Sequence, residues 1–278
     1  YCLVGGYIAA PDQWDGFRPA WSEVLRQYQV SGGFHSVRFF GGYDQYETWT
    51  SEQRDAFLDS LLAVIGSYEL VPVGVAVDVV AFRRLPDEQR QYFTGAQRVG
   101  QTHRRYSPVA IDHTFDEVTV ATRGRYGAHK QPYRVAVIRF VWKIEHIASE
   151  YSCDVHLMLG FHNTLSAGVS DFFNYRMREE PLKKLGGPTV ASLGYADAAK
   201  TPELQAADLL VYLLARNLCN LRMDKRRARA WDSLVAKRAV RLHRADAAMF
   251  AADWAVELKR EENDLAKQQT RSRLLWTP

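Results

Sequence analysis

One carboxylate lies inside an otherwise apolar helical segment of the sequence LGYADAAKTPELQAADLLVY, residues 193–212. Gln205, Asp208 and Tyr212 recur at intervals of three and four residues, so they share one face of a predicted helix. A carboxylate beside a core-facing stripe is costly unless it pairs with a cation or binds a metal. Asp208 is therefore either a functional group or an ordinary aspartate at the exposed edge of the helix, and the spacing alone leaves both open.

A second carboxylate, Asp197, follows a predicted strand and precedes the helix that restarts at Thr201 and Pro202. Ligands of α/β proteins often bind where a strand ends and a helix begins. A turn or helix-capping aspartate at this position is an equally good interpretation.

A third carboxylate, Asp78, interrupts the apolar run LVPVGVAVDVVAF, which is rich in β-branched residues and is predicted to be a central strand. A buried acid needs a partner. Asp78 is therefore either a site residue or one half of a structural ion pair with an arginine.

Two histidines next to aromatic residues, His35 in GFHSVRFF and His162 in GFHNT, are candidate metal ligands or bases. A lone histidine beside aromatic side chains is more often a structural residue. We expect GFHSVRFF to be a short extended segment.

Several classes of protein are disfavoured. The sequence has no GxSxG, GxGxxG or P-loop pattern, which argues against a hydrolase of the serine type, a dinucleotide-binding enzyme and a P-loop nucleotidase. The three cysteines are far apart, which disfavours a structural zinc site and suits a reducing compartment. The cysteine usage favours a cytoplasmic protein. Because no apolar run is long enough to cross a bilayer, we expect no membrane partner.

Positive charge is concentrated near the C-terminus. Residues 222–244 carry nine Lys or Arg and two Asp, whereas the whole chain has a net charge of +4, so the remainder is net negative. Such a localised charge favours contact with the phosphate backbone of a nucleic acid. A solvated helix face is the alternative. The candidate nucleic-acid-binding residues are Lys225, Arg226, Arg227, Arg229, Lys237, Arg238 and Arg241.

Strand-like and helix-like segments alternate along the chain, which predicts an α/β fold. The segment TSEQRDAFLDSLLAVIGSYE is predicted to be a helix capped by Thr50 or Ser51, and YRVAVIRFVWKIEHIASEY is predicted to be another. We expect a core over residues 1–218, an irregular basic insertion over 86–132, and a basic helical extension over 219–278.

Several segments together resemble the bacterial family called domain of unknown function 3800. They are LVGGYIAA, FHSVRFF, SEQRDAFLDSLLAVI, VGVAVDV and, above all, LGYADAAKTPELQAADLLVYLL. The resemblance covers residues 1–218, and the last segment carries most of its specificity. It implies an RNase H-like fold, with a mixed sheet flanked by helices, in a protein from a mobile-element or defence setting.

The same resemblance implies a metal-dependent nuclease that acts on DNA or RNA. Asp208 would be the ligand on the last helix, Asp197 or Asp78 a second ligand, and Gln205 would orient ligands or water. Carboxylate oxygens suit Mg²⁺ or Mn²⁺, and two such ions can clamp the attacking and leaving oxygens of a phosphodiester.

The sequence also departs from the family pattern. The Asp-Glu-Ser-Gly motif of the family's first strand either precedes Tyr1 or is lost. Arg38 and Gly160 stand where relatives carry acids. The alternative is therefore a catalytically inactive protein that binds nucleic acid or assembles with a protein partner or with itself through its C-terminal helices.

Overall fold

The computed structural model describes residues 1–94, 131–160, 170, 190–256 and 258–259. The strands are β1 (Cys2–Ile8), β2 (Val71–Val77), β3 (Val155–Gly160), β4 (Val190–Ala196) and β5 (Arg241–Ala245). The helices are α1 (Pro11–Gln27), α2 (Ser36–Gly41), α3 (Ser51–Ser67), α4 (Val79–Arg84), α5 (Asp87–Phe93), α6 (Pro132–Tyr151), α7 (Pro202–Leu218), α8 (Lys225–Lys237) and α9 (247–256). Short 3₁₀ turns cover Asp44–Tyr46 and Ala198–Lys200.

The described strands form two sheets. The first has the order β1-β2-β5, with an antiparallel β1–β2 pair and a parallel β2–β5 pair. The second contains the parallel pair β3–β4. The predicted α/β class is confirmed, and β2 is the central strand of its sheet, as its apolar run predicted.

Alternating side chains of the three-stranded sheet pack against two separate helical layers. Val73, Val75 and Val77 of β2 belong to a core that includes α6. A Cβ atom on Gly74 would lie 2.8 Å from Leu214 of α7, on the opposite face of the strand. The sheet is thus covered on both sides. The second core is formed mainly by α1, α2, α3, α7 and α8.

Two predicted helices are confirmed with their expected beginnings. Thr50 caps α3 through a capping box with Gln53, since each side chain accepts from the other residue's backbone N–H. The β-branched segment 132–151 is helical because apolar side chains cover most of its surface and both sheets contact it. Tertiary packing here outweighs the strand propensity of its residues.

Three local predictions were wrong. The segment GFHSVRFF contains the helix α2 rather than an extended piece, because the carboxylate of Asp208 accepts from the first N–H of that helix. Strand β2 ends at Val77, so Asp78 lies outside it. The extension 219–278 is not wholly helical, because β5 joins the sheet beside β2.

Other predictions concern residues that lie partly or wholly outside the described ranges. Of the insertion 86–132, residues 86–94 contain α5, and residues 95–130 lie outside the described residues. His162 and residues 260–278 of the extension also lie outside them. None of the described helices is both long and apolar enough to span a bilayer.

Candidate functional site

Asp208 lies on the first half of α7, facing the start of α2. Its Oδ2 atom accepts a hydrogen bond of 2.7 Å from the backbone N–H of Ser36, the first residue of α2. The side chain is 37% exposed, and Oδ1 has no hydrogen-bond partner among the described residues. Asp208 therefore has a structural task, and it also presents one free oxygen to solvent.

His35 is a titratable neighbour of Asp208. Its Nδ1 atom lies 3.8 Å from Asp208 Oδ2, and its side chain is 52% exposed. An accessible imidazole beside a carboxylate can accept or donate a proton, and both groups are metal-ligand types. This pairing joins two candidates that are 173 positions apart in the sequence.

Gln205 is a buried connection between three segments. Its Oε1 atom accepts from the Trp21 indole at 2.9 Å and from the Phe34 backbone N–H at 3.0 Å, and its Nε2 donates to the carbonyls of Ala198 and Ala199 at 3.1 Å each. These four bonds use the full capacity of an amide side chain. Gln205 therefore positions the loop before α2 and has no free group to orient a water or a ligand, contrary to the role implied by the family resemblance.

Gly33 brings this loop into close contact with the 3₁₀ turn before α7. Its φ is +81°, and a Cβ atom there would lie 2.4 Å from the carbonyl oxygen of Ala199. Both the left-handed conformation and the close approach require glycine. The His35 loop and the turn that follows Asp197 are consequently held against each other.

Asp197 caps that 3₁₀ turn. Its Oδ1 accepts from the Ala199 N–H at 2.9 Å, and Oδ2 lies 4.0 Å from Lys200 Nζ. The side chain is exposed, and no contact joins it to Asp208 in the described structure. The geometry matches the capping interpretation of this residue.

Asp78 also caps a helix. Its Oδ1 accepts from the backbone N–H groups of Val80 and Ala81, both at 2.9 Å, at the beginning of α4. The ion pair with an arginine considered for it does not form among the described residues. Helix capping satisfies the carboxylate instead.

Asp78 and Asp208 lie at different levels along β1. Val77 pairs with Cys2, so Asp78 lies beyond the Cys2 end of that strand. Ala207, the neighbour of Asp208, packs near Gly6. Four strand residues, about 14 Å, separate Cys2 from Gly6, whereas carboxylates sharing two Mg²⁺ ions lie within about 8 Å of each other.

Asp78 and Asp208 therefore do not fit a shared Mg²⁺ or Mn²⁺ site. Each carboxylate instead accepts from a helix or turn N–H. Across residues 1–94, 131–160 and 190–259, as far as these are described, no group of three His, Cys, Asp or Glu side chains is arranged to hold a metal ion. We derive no catalytic step through a metal from these residues.

Two of the predicted nucleic-acid-binding arginines make intramolecular contacts that hold helices together. Arg227, which is 14% exposed, donates to Tyr212 Oη at 3.0 Å and to the Phe40 carbonyl at 2.9 Å, pairs with Asp224, and lies over the Phe40 ring. It joins α2, α7 and α8.

Arg226 fastens α8 to the beginning of α3. Its Nε donates to Asp55 Oδ1 at 2.6 Å, and its Nη2 donates to the carbonyl and hydroxyl oxygens of Ser51. The hydrogen bond from Arg226 lowers the pKa of the Asp55 carboxyl below its ordinary value. The side chain of Arg226 is only 17% exposed.

Four further basic residues have intramolecular partners at the surface. Arg229 pairs with Asp55 and Asp59, Lys237 donates to the Gly66 carbonyl, Arg238 pairs with Glu69, and Arg241 pairs with Glu150. Lys225 alone of the seven predicted residues has no partner within the described structure.

One face of α8 forms a shallow open groove of about 570 Å³. It is lined by Lys225, Ala228, Arg229, Asp232, Ser233 and Ala236. All six residues lie on α8, so the groove is an open face of one helix rather than an enclosed cavity.

Asp55 and Asp59 were not selected from the sequence, although they hold the basic helix. Their spacing of four residues on α3 places both on one face, which was the available signal. The partner helix was not evident, because α3 and α8 are far apart in the sequence. Comparisons with protein-family models, with curated proteins and with solved structures found no match for this chain.

Proposed function

We propose that this protein binds the phosphate backbone of DNA or RNA and derives from an RNase H-like nuclease without using the three predicted aspartates as a metal centre. The observation that carries the proposal is the basic helix α8, whose accessible face includes Lys225 and Arg229. Phosphate contacts depend on charge and reach rather than on base identity, so an exposed basic helix suffices for binding.

The arrangement of the sheet supports the proposed ancestry. Antiparallel and parallel strand pairs occur together, and helices cover both faces of the three-stranded sheet. The family resemblance of residues 1–218 points in the same direction. The finer RNase H-like assignment is part of the proposal.

A metal-dependent nuclease centred on Asp208 is the second candidate. The free Oδ1 of Asp208 and the exposed His35 beside it favour this candidate, since these groups can bind a metal or move a proton. Assembly with a protein partner or a second copy is a further proposal, for which Val256 at the end of α9 and Leu258 beyond it offer exposed apolar side chains.

The test measures binding and cleavage on the same samples. Labelled single- and double-stranded DNA and RNA are incubated with the protein in Mg²⁺, in Mn²⁺ and in EDTA, over a series of salt concentrations. We expect binding that weakens steeply with salt, about one power of salt concentration for each phosphate contact, and that is unchanged by EDTA. Light scattering after size exclusion, with and without nucleic acid, reports assembly.

Two variants separate the candidates. Asp208→Asn keeps an oxygen that can accept from Ser36 N–H, so it tests the carboxylate charge without removing the contact to α2. Cleavage by the wild type that is lost in Asp208→Asn would establish the nuclease instead. If none of the four nucleic acids binds at low salt, the proposed function is wrong.

A further inference from the structure

Arg229 is held less firmly than its neighbours on α8. One atom, Nη2, makes both of its contacts, 3.2 Å to Asp55 Oδ1 and 3.1 Å to Asp59 Oδ1. The side chain is 45% exposed, against 17% for Arg226 and 14% for Arg227. Exposed ion pairs of this kind are weak, so Arg229 can leave its partners at little cost.

Asp55 does not depend on Arg229. It keeps the shorter hydrogen bond of 2.6 Å from Arg226, which is the main cause of its lowered pKa. Asp59 has a side chain that is 54% exposed, so water can solvate its carboxylate when the pair opens. The arginine is therefore the movable partner, and the two aspartates can remain in place.

Arg229 and Lys225 lie four residues apart on the same face of α8, at the N-terminal half of the groove. Two cations at this spacing can contact the same phosphate or adjacent phosphates. Asp224, which caps the beginning of α8, is already paired with Arg227. Asp232 lies further along the groove and repels phosphate there. Charge thus selects the Lys225 end as the binding position.

We propose that Asp59 occupies the place of a phosphate on Arg229 in the free protein, and that a nucleic-acid backbone displaces it at the Lys225 end of the groove. Asp59 is then a built-in competitor that lowers affinity for polyanions. The inference rests on the proposed function and adds to it the contact residues and the intramolecular contact that opposes binding.

The experiment measures the anisotropy of a labelled single-stranded oligothymidylate as protein is added, at several salt concentrations. Asp59→Asn removes the competitor and should tighten binding about two- to fivefold, the range set by exposed ion pairs. Arg229→Gln and Lys225→Gln should weaken binding, and each should reduce the salt slope by about one contact.

Matched controls come from an exposed pair on α1. Glu23 and Arg26 form an ion pair at 2.5 Å, with side chains 57% and 76% exposed. Glu23→Gln and Arg26→Gln change the net charge of the protein as Asp59→Asn and Arg229→Gln do. Larger effects at Asp59 and Arg229 than at their controls support the inference.

The two possible failures are distinct. If the wild type binds and the Asp59 and Arg229 variants match their controls, the inference that Asp59 competes with phosphate for Arg229 is wrong, and the proposed function stands. If the wild type does not bind the oligothymidylate or any other nucleic acid, both are wrong. All five substituted side chains are exposed, so we expect each variant to fold as the wild type does. Urea unfolding of each variant checks that a change in binding is not caused by loss of the fold.

Discussion

The Trp21 indole N–H donates to Gln205 Oε1 at 2.9 Å, and both side chains are almost fully buried. This bond crosses the core between α1 and α7. Because the same oxygen also accepts from Phe34, one amide fixes the distance between α1, α7 and the loop that carries His35.

Replacing Gln205 should therefore destabilise the whole fold. Gln205→Met keeps the volume but leaves the buried N–H groups of Trp21 and Phe34 without a partner, so the free energy of unfolding should fall by about 3 kcal/mol. Urea denaturation followed by tryptophan fluorescence measures it. Gln27→Met, at the exposed end of α1, should change it by less than about 0.5 kcal/mol. Equal effects at both positions would contradict the structural role.

Arg227 and Arg229 should differ sharply although they are two residues apart. Arg227→Met removes two hydrogen bonds and an ion pair from a nearly buried guanidinium, which should cost about 2 to 4 kcal/mol of unfolding free energy. Arg229→Met should cost less than about 1 kcal/mol. Arg227→Lys should not restore stability, because an ammonium group cannot reproduce the planar contacts to Tyr212 and Phe40. Restoration by lysine would show that charge alone matters there.

Asp55 should contribute to acid sensitivity. Its folded pKa is lowered below the ordinary 3.8 by the hydrogen bond from Arg226, so its stabilising effect is complete above that value and is lost as pH falls through the folded pKa. The stability difference between wild type and Asp55→Asn should therefore be constant near neutral pH and shrink below about pH 3.8. Urea unfolding across this range checks it. In an Arg226→Met background the pH dependence of that difference should become smaller, because Arg229 is then the only arginine that pairs with Asp55 in the described structure. An undiminished pH dependence would assign it to another group.

Tyr7 should contribute to alkaline sensitivity. Burial raises the pKa of its phenol above the ordinary 10.0, so the unfolded chain loses this proton first and stability falls as pH rises beyond about 10. Its hydroxyl has no hydrogen-bond partner among the described residues. Tyr7→Phe should therefore be neutral or stabilising by up to about 1 kcal/mol at neutral pH, and should flatten the alkaline decline. Unfolding curves from neutral pH to above pH 10 measure both.

Tyr43→Phe is the matched control for Tyr7→Phe, because Tyr43 is 60% exposed. It should leave the free energy of unfolding at neutral pH unchanged. A loss of stability in Tyr7→Phe alone would mean that the buried hydroxyl has a partner.

Local sequence patterns predicted the structural features that depend on residues close together in the sequence. The capping box at Thr50, the apolar run of β2 and the helical face of α7 depend on neighbours within a few residues. The contacts of Asp208 with Ser36 and of Arg226 with Asp55 join residues more than 170 positions apart. Spacing rules apply only to residues close together in the sequence. Sequence patterns therefore identified Asp208 and Arg226 as candidates but could not predict their partners.

The same limit explains why the sequence did not distinguish a capping role from a metal-binding role for the three aspartates. Asp78, Asp197 and Asp208 each stood out as acids beside apolar segments, yet each accepts from the N–H groups of a helix or turn start. Capping and Mg²⁺ binding both use carboxylate oxygens, so an aspartate beside an apolar segment is compatible with either role. Only the distance between the carboxylates separates the two roles, and that distance follows from the packing of α7 along β1.

The position of β5 beside β2 has a consequence for synthesis. The central strand acquires its parallel neighbour from a segment about 170 residues later in the chain, so the β2–β5 pair cannot form until the ribosome has made residues 241–245. Until then the uncharged strand VPVGVAV has an open edge, the kind of surface on which chains aggregate. A truncation before Arg241 would make that transient exposure permanent, and we expect such a product to depend on chaperones to stay in solution.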